Sequence, residues 1–183
     1  MEKPSKVTAT RYSVGMKTKT DIESAIEQHG NTVMRVCTLY LREPADRDDA
    51  FQETFLRYAR NVRPFTGEEH KKAWLIRVTT NVCKDMLKRS SAQNESLEAL
   101  SEQGYTPVGD DGGEGLRAVE RSEVFDALRK LEDRYRVVLY LKFYENYTAA
   151  QIAKLLSIPE NTVYTNLSRG KKQLKEVLSH GQE

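Results

Sequence analysis

Two groups of side chains in this sequence have the types and spacing for chemistry, and both suit nucleic acid. Asn161, Thr162, Tyr164, Thr165, Ser168, Arg169, Lys171 and Lys172 crowd one stretch near the C-terminus. Amides and hydroxyls read base edges, and cations neutralise phosphates. Upstream, Phe65 and Asn81 stand among Arg63, Lys71, Arg77 and Lys84. An aromatic wall beside an amide captures an unstacked base, and nearby cations hold the phosphates of a displaced strand. A plainer reading makes Phe65 a loop anchor packed on Trp74 and Asn81 a solvated helix residue. No comparable set exists for covalent chemistry. His29, His70 and His180 are scattered, and no nucleophile–base pair, phosphate-cradling glycine loop or metal-ligand cluster is visible. The expectation is a binding protein with no catalysis, no cofactor and no metal. Cys37 and Cys83 lie far apart in sequence without a CxxC pattern, each inside an apolar helical run. Both read as buried small hydrophobes rather than as a disulfide or metal site.

The C-terminal group needs a rigid support, and the stretch Thr148 to Leu178 has the pattern of one. Thr148 precedes Ile152, Ala153, Leu155 and Leu156 at helical spacing, as an N-cap would. Ser157-Ile158-Pro159-Glu160 is long enough only for a turn. Pro159 cannot continue a helix but can begin one. A second helix then places Val163, Leu167, Leu174 and Leu178 on one face. Two short helices joined this way form a helix-turn-helix. Ala153 suits the crossing point, and Ile158 and Val163 would plug the gap between the helices. Two bundle helices with a solvated basic face produce the same pattern, so this stretch alone does not decide.

The rest of the chain reads as helical, with no strand periodicity and no repeat. Its 183 residues allow one medium or two small domains. Nearly balanced charge hides a segregation: Arg57 to Arg89 holds nine bases against three acids, and Glu95 to Glu123 holds eight acids against two bases. That asymmetry fits a nucleic-acid surface beside an acidic connector. Helices are expected over Asp21–Leu41, Ala45–Asn61, Glu68–Arg89, Leu116–Leu131 and Glu132–Tyr144. The expected inner stripes are Ile22, Ile26, Val33, Cys37, Tyr40 and Leu41; then Phe51, Phe55, Tyr58 and Val62; then Trp74, Val78, Val82 and Met86. Gly30 marks a break or kink in the first. The glycines and acids between Ser90 and Gly115 predict a flexible linker. The expected organisation is all-α: a mobile tail 1–20, a helical domain 21–90, a linker 91–115, and a helix-turn-helix domain 116–180. No apolar run reaches the roughly 18 residues of a membrane span, and no leader pattern is present. A cytoplasmic, soluble protein without membrane insertion is expected.

Two separate blocks now resemble one family. Asp46-Arg-Asp-Asp-Ala-Phe-Gln-Glu-Thr-Phe-Leu-Arg57 is similar to the core-polymerase-binding helix of bacterial sigma factors. Ala73-Trp-Leu-Ile-Arg-Val-Thr-Thr-Asn-Val-Cys-Lys-Asp85 is similar to their adjoining promoter-melting helix. Ala127 to Leu178 resembles their C-terminal domain, including Tyr135-Arg-Val-Val-Leu139 and Thr162-Val163. Two domains and a short linker resemble the extracytoplasmic function (ECF) group. The resemblance implies a factor that binds core RNA polymerase through Asp48, Asp49, Gln52 and Glu53. It implies −35 promoter DNA on Asn161, Thr162, Tyr164, Thr165, Ser168, Arg169 and Lys172. It implies melting of the −10 element at Phe65 and Asn81, with Arg63, Lys71, Arg77 and Lys84 on phosphates. An anti-sigma factor as partner is carried by the resemblance alone. Early acids on the second helix also suit a helix N-terminus, which is the competing account of that face. The sequence departs from the family at Glu132, where a proline is usual; at Glu160-Asn161, where the pair commonly ends in glycine; at Tyr164-Thr165-Asn166, where Lys and Arg are frequent; and at Gly170, where alanine is usual. These departures bear on promoter sequence, not on class. The rivals are a helix-turn-helix regulator that never joins polymerase, which leaves the first two blocks unexplained, and a helical protein adaptor, which leaves the basic block unexplained.

Overall fold

The computed structural model describes residues 16–95 and 123–180. Seven helices occupy them: α1 Lys19–Tyr40, α2 Pro44–Arg60, α3 Glu68–Glu95, α4 Glu123–Arg129, α5 Asp133–Phe143, α6 Ala149–Leu156 and α7 Glu160–His180. The described residues contain no strand, so the all-α expectation holds.

Local chemistry sets most helix ends. Thr18 caps α1: its hydroxyl oxygen accepts from the Asp21 N–H at 3.1 Å, and the Asp21 carboxylate accepts from the Thr18 N–H at 3.0 Å. The helix therefore starts at Lys19, and the expected tail loses its last residues to this cap. Pro44 sits in the first turn of α2, where its missing N–H costs nothing. Thr148 and Gln151 form the same reciprocal cap at the start of α6.

Packing overrules several expectations drawn from pattern. α1 runs unbroken through Gly30, because tertiary burial outweighs the glycine penalty of about 1 kcal/mol. Ile26 is exposed: Ala25, His29 and Val33 form the buried seam, and Ile26 lies to its side. Val62 is 67% exposed, since it follows the α2 C-cap at Asn61 and helical spacing no longer applies. α3 continues past Arg89 to Glu95, for Ser90 to Glu95 contains neither glycine nor proline to stop it. The remainder of the expected linker, and Leu116–Ser122 of the next expected helix, lie outside the described residues.

α3 is central. Leu75, Ile76, Thr79, Thr80 and Cys83 are essentially fully buried, whereas the expected stripe members Trp74, Val78 and Met86 are only half-buried. The helix is enclosed from more than one direction, by α1 and α2 and also by α6, so the true seam is broader than a single stripe. Cys37 and Cys83 meet in this core as free thiols. Their mutual hydrogen bond, together with burial, pushes the Cys37 thiol up.

The C-terminal helices close around Tyr140, Leu141, Ile152 and Val163, all nearly inaccessible. α7 crosses α5 at Gly170, where a Cβ would lie 3.0 Å from Leu139 Cδ1 and 3.1 Å from Tyr135 Cβ. The two halves also touch each other, α1 on α5 and α3 on α6. Lys72 Nζ of α3 reaches Glu145 Oε2 at 2.6 Å, with the Glu145 side chain only 4% exposed. The Tyr140 hydroxyl donates to the other Glu145 oxygen at 2.5 Å. The Arg35 guanidinium lies 4.9 Å from the Tyr144 ring centre.

Two measurements check this packing. Gly170→Ala should lower the melting temperature: the gain of about 1 kcal/mol in helix propensity is smaller than the cost of overpacking against Tyr135 Cβ. A higher melting temperature would show that α5 yields freely. Lys72→Met should destabilise by on the order of 3 kcal/mol, because it leaves a buried carboxylate unpaired. A loss under about 0.5 kcal/mol in denaturant unfolding would mean that water already screens the pair.

Candidate nucleic-acid interface

α7 presents its two faces cleanly. Val163, Leu167 and Gly170 are buried, while Asn161, Thr162, Tyr164, Thr165, Ser168, Arg169, Lys171 and Lys172 are exposed. Asn166, inside the departing segment, is buried and so takes no part in that face. The turn before α7 is made by Ser157 in the left-handed region, φ 56°, and the Ile158 N–H donates to Ala153 O at 3.0 Å. Ile158 is half-buried and packs against the hydrophobic core to which Val163 belongs. Hydrogen bonds along the helix decide what the outer residues offer. The Thr165 hydroxyl donates to Asn161 O at 2.9 Å, which spends its proton and leaves its methyl and lone pairs outward. The Tyr164 hydroxyl donates to Glu160 Oε1 at 3.2 Å. That bond holds the phenol above its usual range and steers the ring along the helix.

The second group is less uniform. Arg63, Arg77 and Asn81 are exposed. Phe65 is half-buried within an aromatic cluster: stacked on Tyr58 at 5.9 Å, and edge-on to Trp74 and His70 at 5.5 Å each. Lys17 Nζ lies 5.3 Å from its ring centre. Phe65 is thus an anchor of its loop, in contact with Trp74 as the plainer reading had it. Lys71 is engaged by Glu68 at 2.7 Å, and its side chain is 16% exposed. Glu68 also meets His29 Nε2 at 3.1 Å. The Lys71 and then the His29 hydrogen bonds hold the Glu68 carboxyl below its usual range. Trp74, Arg77, Asn81 and Lys84 follow helical spacing down α3, so the aromatic cluster and Asn81 are separated by about 10 Å of helix axis.

On α2, Asp48, Asp49 and Gln52 are exposed, and Glu53 is half-buried through its pair with Arg57 at 2.7 Å. Asp49, Gln52 and Glu53 face a groove of about 430 Å³ shared with Asp85, Met86 and Arg89 of α3. Leu56, 49% exposed, lies in the same groove. Sequence reading overlooked it, although Leu56 falls off the Phe51, Phe55, Tyr58 stripe and four residues after Gln52. The Lys72–Glu145 contact was likewise unforeseen; nothing in the spacing of two such distant residues signals it. No cluster of three or more potential metal ligands occurs among the described residues, and none of their helices is long and apolar enough to cross a membrane.

Residues 25–93 match the family model of Sigma-70 region 2, and residues 121–174 match that of Sigma-70 region 4. The chain is 26% identical over 163 residues to the ECF RNA polymerase sigma factor SigW of Bacillus subtilis, covering 84% of this chain and 86% of SigW. It is 28% identical over 153 residues to the ECF RNA polymerase sigma factor SigL of Mycobacterium tuberculosis, covering 83% and 85%. Its fold is similar to that of the sigma factor RpoE solved in complex with the anti-sigma factor NepR from Bartonella quintana: TM-score 0.69, 14% identity, 87% of this chain and 98% of that one. CnrH, solved with the cytosolic domain of CnrY, aligns with a TM-score of 0.57 at 20% identity over 89% and 90% of the two chains.

Proposed function

We propose that this chain, which belongs to the ECF group of bacterial RNA polymerase sigma factors, divides its work among three faces. It binds core RNA polymerase and directs it to promoters. The exposed acids of α2, with Leu56 as an apolar contact between them, meet a basic surface of polymerase. The outer face of α7 reads the −35 element: Arg169 and Lys172 hold phosphates, while Asn161, Tyr164 and Thr165 meet bases. Arg77, Asn81 and Lys84 engage the −10 strand, with Phe65 and Trp74 as a fixed apolar wall rather than a mobile wedge. Arg63 adds a phosphate contact at the loop. Lys71 reaches a phosphate only by leaving Glu68. The domain boundaries follow the same division, except that the first begins at the Thr18 cap and its last helix extends to Glu95. The protein works by binding alone, without catalysis, in the cytoplasm. The likeness in fold to RpoE, solved with the anti-sigma factor NepR, supports an anti-sigma factor as a further partner.

The observation that carries this reading is α7, whose inner face is core and whose exposed residues from Asn161 to Lys172 supply an amide, hydroxyls and cations with no carboxylate among them. Run-off transcription with core polymerase on a genomic library tests it; no promoter-dependent product would overturn it. A regulator that acts without polymerase would bind DNA but not core.

Two outcomes follow for the faces. Arg169→Ala should weaken binding to all sequences and lower the salt slope by about one unit. Thr165→Ala should instead change preference at one base position by about 1–3 kcal/mol, read by competition with substituted promoters. Uniform losses in both would refute the assignment of that face. Asp49→Lys with Glu53→Lys should reduce core binding in a pull-down while circular dichroism stays unchanged, because both residues lie outside the core. Full retention by the folded double variant would remove α2 from the polymerase contact.

A further inference from the structure

Buried Val163 and Leu167 fix the roll of α7, so the side chains it turns outward are set before any DNA arrives. The N-terminal residues of a recognition helix are the ones that meet base edges. From Glu160 through Ser168, α7 carries no lysine or arginine, and its first cation is Arg169. Guanine is read in the major groove chiefly by a bidentate cation on O6 and N7. This part of α7 therefore holds no guanine reader of that kind. Its exposed side chains are Glu160, Asn161, Thr162, Tyr164, Thr165 and Ser168.

Two internal hydrogen bonds decide what this stretch presents. The Thr165 hydroxyl donates to Asn161 O at 2.9 Å. Its proton is spent within the helix, and the γ-methyl remains as an apolar tip. Such a methyl packs on the C5-methyl of thymine, the apolar group of the major-groove edge. The Tyr164 hydroxyl donates to Glu160 Oε1 at 3.2 Å. That bond holds the carboxylate on the outer face and leaves Oε2 to accept from elsewhere. A carboxylate only accepts, and the N4 amine of cytosine is the base-edge donor that suits it. An acid in the first turn also complements the helix dipole, but that role needs no phenol to orient it.

We infer that α7 reads pyrimidine edges in the −35 element: the Thr165 methyl packs on a thymine C5-methyl, and Glu160 accepts from a cytosine N4 amine. Tyr164 is the positioning residue for Glu160. The inference rests on α7 being the −35 helix and adds Glu160 to the residues that read it. Glu160 and Thr165 are separated by about 7.5 Å of helix axis at ~1.5 Å per residue. The cytosine and the thymine therefore lie about two base-pair steps apart, at ~3.4 Å each. A carboxylate in the groove also repels phosphates, so Glu160 lowers affinity for every sequence while it discriminates among them.

Holoenzyme assembled from the full-length chain and core polymerase selects sites from a promoter library randomised across the −35 element. The wild type is expected to select a cytosine and a thymine at that spacing. Replacing the thymine by deoxyuridine deletes only the methyl and should weaken binding about fourfold, the worth of one buried methyl. Thr165→Ser should show the same loss, with no further loss on the uracil site. Thr165→Val keeps the methyl without the hydroxyl and should retain the thymine preference. Glu160→Gln should bind unrelated sequences more tightly, and its own position should shift from cytosine toward adenine, the bidentate partner of glutamine. Tyr164→Phe should lower the cytosine preference about threefold and leave the thymine position unchanged, whereas a loss of helix structure would weaken both. Three results would overturn the inference: equal wild-type binding of thymine and uracil sites, a preference lost in Thr165→Val but kept in Thr165→Ser, or an unchanged cytosine preference in Glu160→Gln. A wild-type holoenzyme that selects no −35 sequence would overturn the assignment of α7 to that element, and this inference with it.

Discussion

Leu75, Ile76, Val82 and Cys83 seat α3 against α1 and α2, and the positions of the other functional groups follow from that contact. Burying each large apolar side chain contributes about 1.5–3 kcal/mol. Two polar groups in the same seam are satisfied locally: the Thr79 hydroxyl donates to Leu75 O and the Thr54 hydroxyl to Ala50 O, each at 2.8 Å. Neither threonine thereby leaves an unpaired group in the core. With one side of α3 so anchored, Arg77, Asn81 and Lys84 have no freedom to turn inward. The basic surface is a by-product of where the apolar residues must go. The half-buried Glu53–Arg57 pair, open to water at the surface, contributes little by comparison, roughly 0–1 kcal/mol.

The seam between the two halves is of another kind. Its contacts include Lys72 with Glu145, Arg35 over Tyr144, and a loose approach of Arg77 to Ser157. Polar contacts of this sort hold a geometry without the area-proportional gain of a hydrophobic core, and such interfaces commonly permit domain motion. Under the proposed division of faces, α3 and α7 meet separate promoter elements, and a polar seam of this kind suits that division. Elements about 25 base pairs apart lie roughly 80 Å apart along a duplex. Here α3 and α6 touch, so simultaneous engagement requires this seam to part while the two cores stay intact.

The departures from family pattern also have local physical accounts. Gly170 permits α5 and α7 to approach more closely than a Cβ would allow comfortably. Glu132 sits at the N-cap of α5 and pairs with Arg134 at 2.7 Å, replacing a rigid residue by an ionic contact. Tyr164 is tied to Glu160, so the aromatic ring on the recognition face is held by the residue that itself departs from the usual pair.

By itself the sequence determined whatever depends on neighbours along the chain. The Thr148 cap, the Pro44 start, the turn at Ser157–Pro159 and the two faces of α7 are set within a few residues, so spacing and side-chain type sufficed. The match of two blocks in order identified the family for the same reason. Tertiary structure decided what depends on enclosure. Periodicity could not tell that α3 is covered from more than one direction, nor that Ile26 and Val62 escape their stripes. It could not pair Lys72 with Glu145, bring Cys37 to Cys83, bury Asn166, or turn Phe65 into a stacked anchor on Tyr58 and Trp74. The Tyr147 hydroxyl is the sharpest case. Next to Thr148 it reads as a turn residue, and only the tertiary fold makes it a buried hydroxyl, because burial is a property of what folds over a residue rather than of the residue itself.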